Sequence, residues 1–87
     1  MKKVLIIDSS IVIRSVIRNL FINDERIITF EASSIEEIEQ LIKENDFFVV
    51  ITSLYLEDSP NSEMLEILNK LNIPTIVFSS SLETDFL

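Results

Sequence analysis

Four short apolar runs alternate with three amphipathic stretches along this 87-residue chain, and that alternation limits its fold more than any other feature. Val4 to Ile7 is continuously apolar, the pattern of a strand buried on both faces. Ser9 or Ser10 can cap the helix that follows, where Ile13, Val16, Ile17, Leu20 and Phe21 fall at helical spacing. Arg14, Arg18 and Asn19 then occupy the other side of that helix, as a solvated face. Asn23, Asp24 and Glu25 end it, and Ile27 to Phe30 reads as a second strand. Ser33 or Ser34 can cap a second helix, with Glu36 and Glu37 at the positive end of its dipole and Ile35, Ile38, Leu41 and Ile42 as its apolar stripe. Phe47 to Ile51 is the most hydrophobic run and reads as a central strand; Leu54 to Ser59 reads as a loop. Ser59 and Pro60 start a third helix with inner face Met64, Leu65, Leu68 and Leu71, and Pro74 separates it from a fourth strand, Thr75 to Phe78.

The order β-α-β-α-β-α-β with short connections predicts a parallel sheet with helices on both faces. Right-handed crossovers leave few topologies for it. The length allows one domain, residues 1–87, with no linker, repeat or low-complexity segment.

Composition narrows the function. A net charge of −8 repels phosphate backbones and anionic membranes, so neither nucleic acid nor a membrane is expected as a partner. The chain has no Cys and no His, which removes disulfides, thiolate or imidazole metal sites and catalysis by those groups. The apolar run after Lys2 and Lys3 is too short for a signal-peptide core, and no segment approaches a membrane span, so the expected location is the cytoplasm. There is no Gly, so Asn, Asp and Ser must make the turns.

Open parallel sheets place their sites at the carboxyl ends of the strands. Those ends carry Asp8 and Ser9, Glu31, Thr52 and Ser53, and Ser79 and Ser80. No glycine-rich phosphate loop is present.

Ile7 to Arg14, with Asp8, Ser9 and Ser10, resembles the Asp-Asp-Ser-x-x-x-Arg pattern that follows the first strand of response-regulator receiver domains. Glu31, Ala32, Glu36 and Glu37 are similar to that family's second strand and helix entry. Phe47 to Ser53 resembles its third strand, and Ile73 to Ser80 its fourth, which ends in Thr or Ser followed by Ala. The resemblance runs through the whole chain in order and spacing. It implies a three-layer α/β/α, flavodoxin-like (CheY-like) fold with strand order 2-1-3-4. A complete receiver has a fifth strand and further helices, so the resemblance also implies that these are absent and that the domain is incomplete at its C-terminus. The chain is then a truncated receiver or a segment of a longer protein, and the fourth strand is an exposed edge suited to homodimerisation.

The departures from the pattern bear on function. In receivers, two acids after the first strand and an acceptor Asp at the end of the third hold a magnesium ion. Asp8 matches the first acid, Ser9 replaces the second, and Ser53 stands at the acceptor position. Magnesium prefers carboxylate oxygens and dehydrates reluctantly, so Asp8 with two hydroxyls is a weak metal site and no cofactor is expected. A serine cannot form the acyl phosphate that makes receiver phosphorylation energy-rich. Ser79 keeps the hydroxyl that the resemblance assigns to switching. Each residue also has a plain structural reading: Asp8 as a helix-capping residue, Ser53 and Ser79 as strand ends, and Asp58 as a turn or helix-entry residue.

The expected function is therefore a receiver-like (pseudo-receiver) interaction module in two-component, phosphorelay signalling. It is not an enzyme, and its partners are a histidine kinase or other signalling domains. One alternative is a phosphorylatable receiver that uses Asp8 or Asp58. Another is a small flavodoxin-like cofactor-binding domain, which the lack of Gly, His, Cys and a phosphate loop disfavours.

Overall fold

The structure, a computed structural model, describes residues 1–53 and 63–78. In chain order its elements are β1 (Lys2–Ile7), α1 (Ile11–Asn19), β2 (Ile27–Ala32), α2 (Ile35–Glu44), β3 (Val49–Ser53), α3 (Glu63–Lys70) and β4 (Thr75–Phe78). All strand pairs are parallel, and the sheet order is β2-β1-β3-β4, as the sequence predicts. β1 lies between two neighbours, and Val4 to Ile7 are buried on both faces of the sheet.

One face of the sheet carries the core. Leu5, Ile7, Ala32 and Val50 pack there against Ile38 of α2 and Met64 and Leu68 of α3. Phe30 and Phe47 meet edge-to-face across this layer, with ring centroids 5.4 Å apart. α1 lies on the opposite face, where its arginines reach Glu31 of β2. The three layers are thus α1, the sheet, and α2 with α3.

Local signals fix the helix ends. Ser10 caps α1 by accepting the Ile13 N–H at 3.3 Å. Ser34 caps α2 by accepting the Glu37 N–H at 3.2 Å, and Glu37 reaches back to accept the Ser33 N–H at 2.7 Å. This is a capping box shifted outward by one residue. Those bonds from the Ser33 N–H and hydroxyl hold the Glu37 carboxyl below the ordinary range.

α3 ends in a Schellman motif. The Asn72 N–H reaches the Asn69 carbonyl at 3.1 Å, and the Ile73 N–H reaches the Leu68 carbonyl at 3.2 Å. Asn72 has a φ of 56°, a left-handed conformation in which Gly is the usual residue and Asn the common substitute. Here the glycine-free chain makes its turn with Asn.

Four expectations need correction. β2 extends to Ala32, and β3 runs from Val49 to Ser53, two residues later than the apolar run suggests, because the register pairs Val49 with Val4. Leu71 is not on the inner face of α3; it lies past the end of the helix and is half exposed. The orientation of α1 also differs. Val16 and Leu20 are 58 % and 76 % exposed, while Arg14 and Arg18 turn toward the sheet. Both arginines bond Glu31, Ile13, Ile17 and Phe21 of the expected stripe are half-buried, and no residue of α1 is fully buried. The Leu54 to Ser59 loop and the Ser59–Pro60 helix start lie outside the described residues.

Candidate functional site at the carboxyl ends of the strands

Asp8 follows the last residue of β1, and Ser53 is the last residue of β3. The final β1–β3 register pair is Ile7 with Thr52, so Asp8 and Ser53 are the next residues along two adjacent strands. Parallel neighbours lie about 4.8 Å apart, which brings the two residues to the same end of the sheet. Both are buried, at 3 % and 2 % exposure.

The backbone of Asp8 is fully engaged. Its N–H donates to the Ala32 carbonyl at 3.2 Å, and its carbonyl accepts from Arg14 Nη1. Oδ1 accepts the Ser10 N–H at 2.7 Å, which shapes the turn into α1. Oδ2 is buried and has no hydrogen-bond partner among the described residues. A buried carboxylate oxygen without a partner is costly, so this atom marks where a ligand would bind.

Thr52 is fully buried on the opposite face, its Oγ1 3.1 Å from Sδ of Met64 and 3.0 Å from the Ser53 carbonyl oxygen. It belongs to the core and does not face Asp8. Ser9 is exposed, which leaves Asp8 as the buried acid at this end of the sheet among the described residues.

A magnesium ion can be tested against these groups. The orphaned Oδ2 is one carboxylate donor. Among the described residues no group of three acidic, His or Cys side chains could hold a metal. The remaining donors are hydroxyls and carbonyls, which do not replace the several carboxylate or phosphate oxygens that magnesium demands. The described donor set does not fit the ion.

Glu31 is the acid that sequence reading left without a role. It lies one residue before the end of β2, and its carboxylate bridges two arginines of α1. Oε1 is 3.0 Å from Arg14 Nε and Oε2 is 2.6 Å from Arg18 Nη1. Burial pushes Glu31 upward, but the hydrogen bonds and charges of Arg14 and Arg18 outweigh that and hold it below the ordinary carboxylate range. Arg14 thus ties Glu31 to the Asp8 carbonyl and clamps α1 over the ends of β1 and β2. The available signal was the pair of arginines four residues apart on one helix with a lone acid near a strand end. Ser79 and Asp58, the other two candidates, lie outside the described residues.

Four parallel strands in the order 2-1-3-4 with three crossover helices form a flavodoxin-like (CheY-like) α/β fold. The chain is similar to a solved structure of the MaeR response regulator bound to beryllium trifluoride, with a TM-score of 0.80 over 99 % of this chain and 73 % of that one. The sequence identity is 17 %, so the likeness is one of fold. No protein-family model and no curated protein matches the sequence. Among the described residues, no helix is long and apolar enough to cross a membrane.

Proposed function

We propose that this chain is a receiver-like interaction domain of cytoplasmic two-component signalling, working by docking and without phosphoryl transfer to the end of β3. The observation that carries this reading is Ser53, a hydroxyl residue buried at the tip of β3 in a receiver fold. Phosphoryl capture at that tip needs a carboxylate to form an acyl phosphate. A serine ester would be stable and would not discharge like a switch. Among the described residues Asp8 is the buried acid beside it, and one carboxylate offers too few oxygens to gather a magnesium ion. What remains is a scaffold whose surface can bind a histidine kinase or another signalling domain. Nothing in this reading calls for catalysis. Among the described residues β4 pairs only with β3, and Ile76 and Val77 are exposed, so this side of the sheet is a surface on which a partner can dock.

A second reading has one observation in its favour. The orphaned, buried Oδ2 of Asp8 is a carboxylate oxygen open to a new bond, so Asp8 could itself accept a phosphoryl group. Asp58 is the other acid proposed for that role.

One experiment separates the two. The full chain is incubated with magnesium and a small-molecule phosphodonor, and its intact mass is measured. An unchanged mass is expected. A phosphate adduct that disappears in Asp8→Asn or Asp58→Asn would replace the first reading with the second.

A further inference from the structure

The two faces of β3 are covered unequally. β3 is an interior strand, with β1 on one side and β4 on the other. Its residues on the α2–α3 face, Val50 and Thr52, are fully buried, whereas Val49 and Ile51 on the α1 face are half-buried. The register shows where the cover runs out. One row across the α1 face reads Glu31, Ile6, Ile51, Ile76. Glu31 is held by α1, Ile6 is fully buried, Ile51 is half-buried and Ile76 is 56 % exposed. Among the described residues α1 covers β1 and β2, this face of β3 is only partly covered, and Ile76 of β4 is exposed.

The outer side of α1 continues the same surface. Val12, Val16 and Leu20 recur every four residues along one stripe, with Ile11 beside them, and all four are exposed. Apolar side chains grouped in this way mark an interaction surface more often than scattered ones do.

Charge distribution selects the occupant. α1 contains no acidic residue, and Glu31 pairs with both of its arginines, so this cluster carries a net charge of +1 against the acidic rest of the chain. On the other face, α2 alone carries Glu36, Glu37, Glu39 and Glu44, and α3 adds Glu66. A chain of net charge −8 can therefore meet a second copy through the α1 face while its acid-rich helices stay on the outside of the pair. The molecule measures 39 × 30 × 19 Å, so its broad face has room for the roughly 800 Å² per partner that a stable interface uses. A helix stripe beside a partly covered strip of sheet is also self-complementary: under a two-fold axis, α1 of each copy lies over β3 and β4 of the other.

We propose that the chain forms a symmetric dimer through this face, with Val12, Val16 and Leu20 of each copy packed on Ile51 and Ile76 of the other. This is distinct from edge pairing of β4, and it does not depend on the state of Asp8 or Ser53.

Sedimentation equilibrium of the full chain, from micromolar to submillimolar concentration, tests it. A monomer–dimer equilibrium is expected. Val16→Glu should raise the dissociation constant at least about tenfold, because a charge would be buried at the interface core. Leu20→Lys should do the same, and both positions are exposed in the single copy, so far-UV circular dichroism should stay unchanged. Val77→Lys, at the β4 edge but on the opposite face, should leave the dissociation constant unchanged. A monomer at every concentration would overturn the proposal and point to residues 79–87 or another protein as the cover. So would a dimer lost in Val77→Lys and kept in Val16→Glu, which would assign self-association to the strand edge.

Discussion

Arg14 and Glu31 join α1 to the end of β2, with Nε 3.0 Å from Oε1, and the same guanidinium binds the backbone carbonyl of Asp8. One side chain thereby sets the rotation of a helix and the path of the chain out of β1. Arg18 adds a second bond to Glu31 from a more exposed position.

Unequal costs follow for the two arginines. Arg14→Ala removes a part-buried charged partner and leaves the Asp8 carbonyl without its donor, which should cost about 1–3 kcal/mol in urea unfolding. Arg18→Ala, at 43 % side-chain exposure, should cost less than about 1 kcal/mol. Arg14→Lys should not restore the loss, because one ammonium cannot serve both acceptors in the geometry of the guanidinium fork. Equal costs for Arg14→Ala and Arg18→Ala would remove Arg14 from this role.

Acid should weaken the fold through Glu31 and Glu37. Both carboxyls are held below their ordinary value of 4.5 in the folded chain. The unfolded chain therefore binds protons first as pH falls. The stabilisation is fully present above the ordinary value and is lost progressively as pH drops below 4.5 and through the lowered values. Unfolding followed from neutral pH downward should show this slope, and Glu31→Gln with Glu37→Gln should flatten it. An unchanged slope in the double variant would assign the acid sensitivity to other groups.

Asp8 has two oxygens with opposite prospects. Asp8→Ala deletes the acceptor of the Ser10 N–H and should cost about 1 kcal/mol. Asp8→Asn keeps that acceptor and removes a buried charge, so it should cost less than Asp8→Ala. Magnesium should leave the melting temperature of the parent chain unchanged, since a ligand stabilises only what it binds. A melting temperature that rises with magnesium and stops doing so in Asp8→Asn would make Oδ2 a metal ligand.

Asn72 carries the left-handed turn after α3. Asn72→Ala should destabilise by about 1 kcal/mol, because a Cβ without a polar group is strained there. Asn72→Gly should be neutral or stabilising by thermal melting. A harmless Asn72→Ala would mean that the turn does not depend on this conformation.

Periodicity was sufficient for element type and order. The Val4 to Ile7 run, the Ser10 and Ser34 caps and the Ile38 stripe are local patterns, and local patterns survive folding when tertiary contacts agree with them. At the candidate site, the sequence identified Asp8 and Ser53 as strand-end residues, and the register places them on neighbouring strands. It misjudged α1, where apolar spacing points Val16 and Leu20 inward. The opposing preference came from Glu31, which is thirteen residues from Arg18 and seventeen from Arg14. An ion pair between separate elements leaves no periodic trace.

The sequence by itself determined a parallel α/β chain with a hydroxyl, not a carboxylate, at the end of its third strand, since apolar spacing and residue identity are written locally. Only the tertiary structure decided that Asp8 keeps one oxygen unpartnered among the described residues, that α1 turns its arginines toward Glu31, and that one face of β3 stays half covered. Those features depend on which groups from distant segments meet, and burial and pairing energies are properties of the meeting, not of either segment alone.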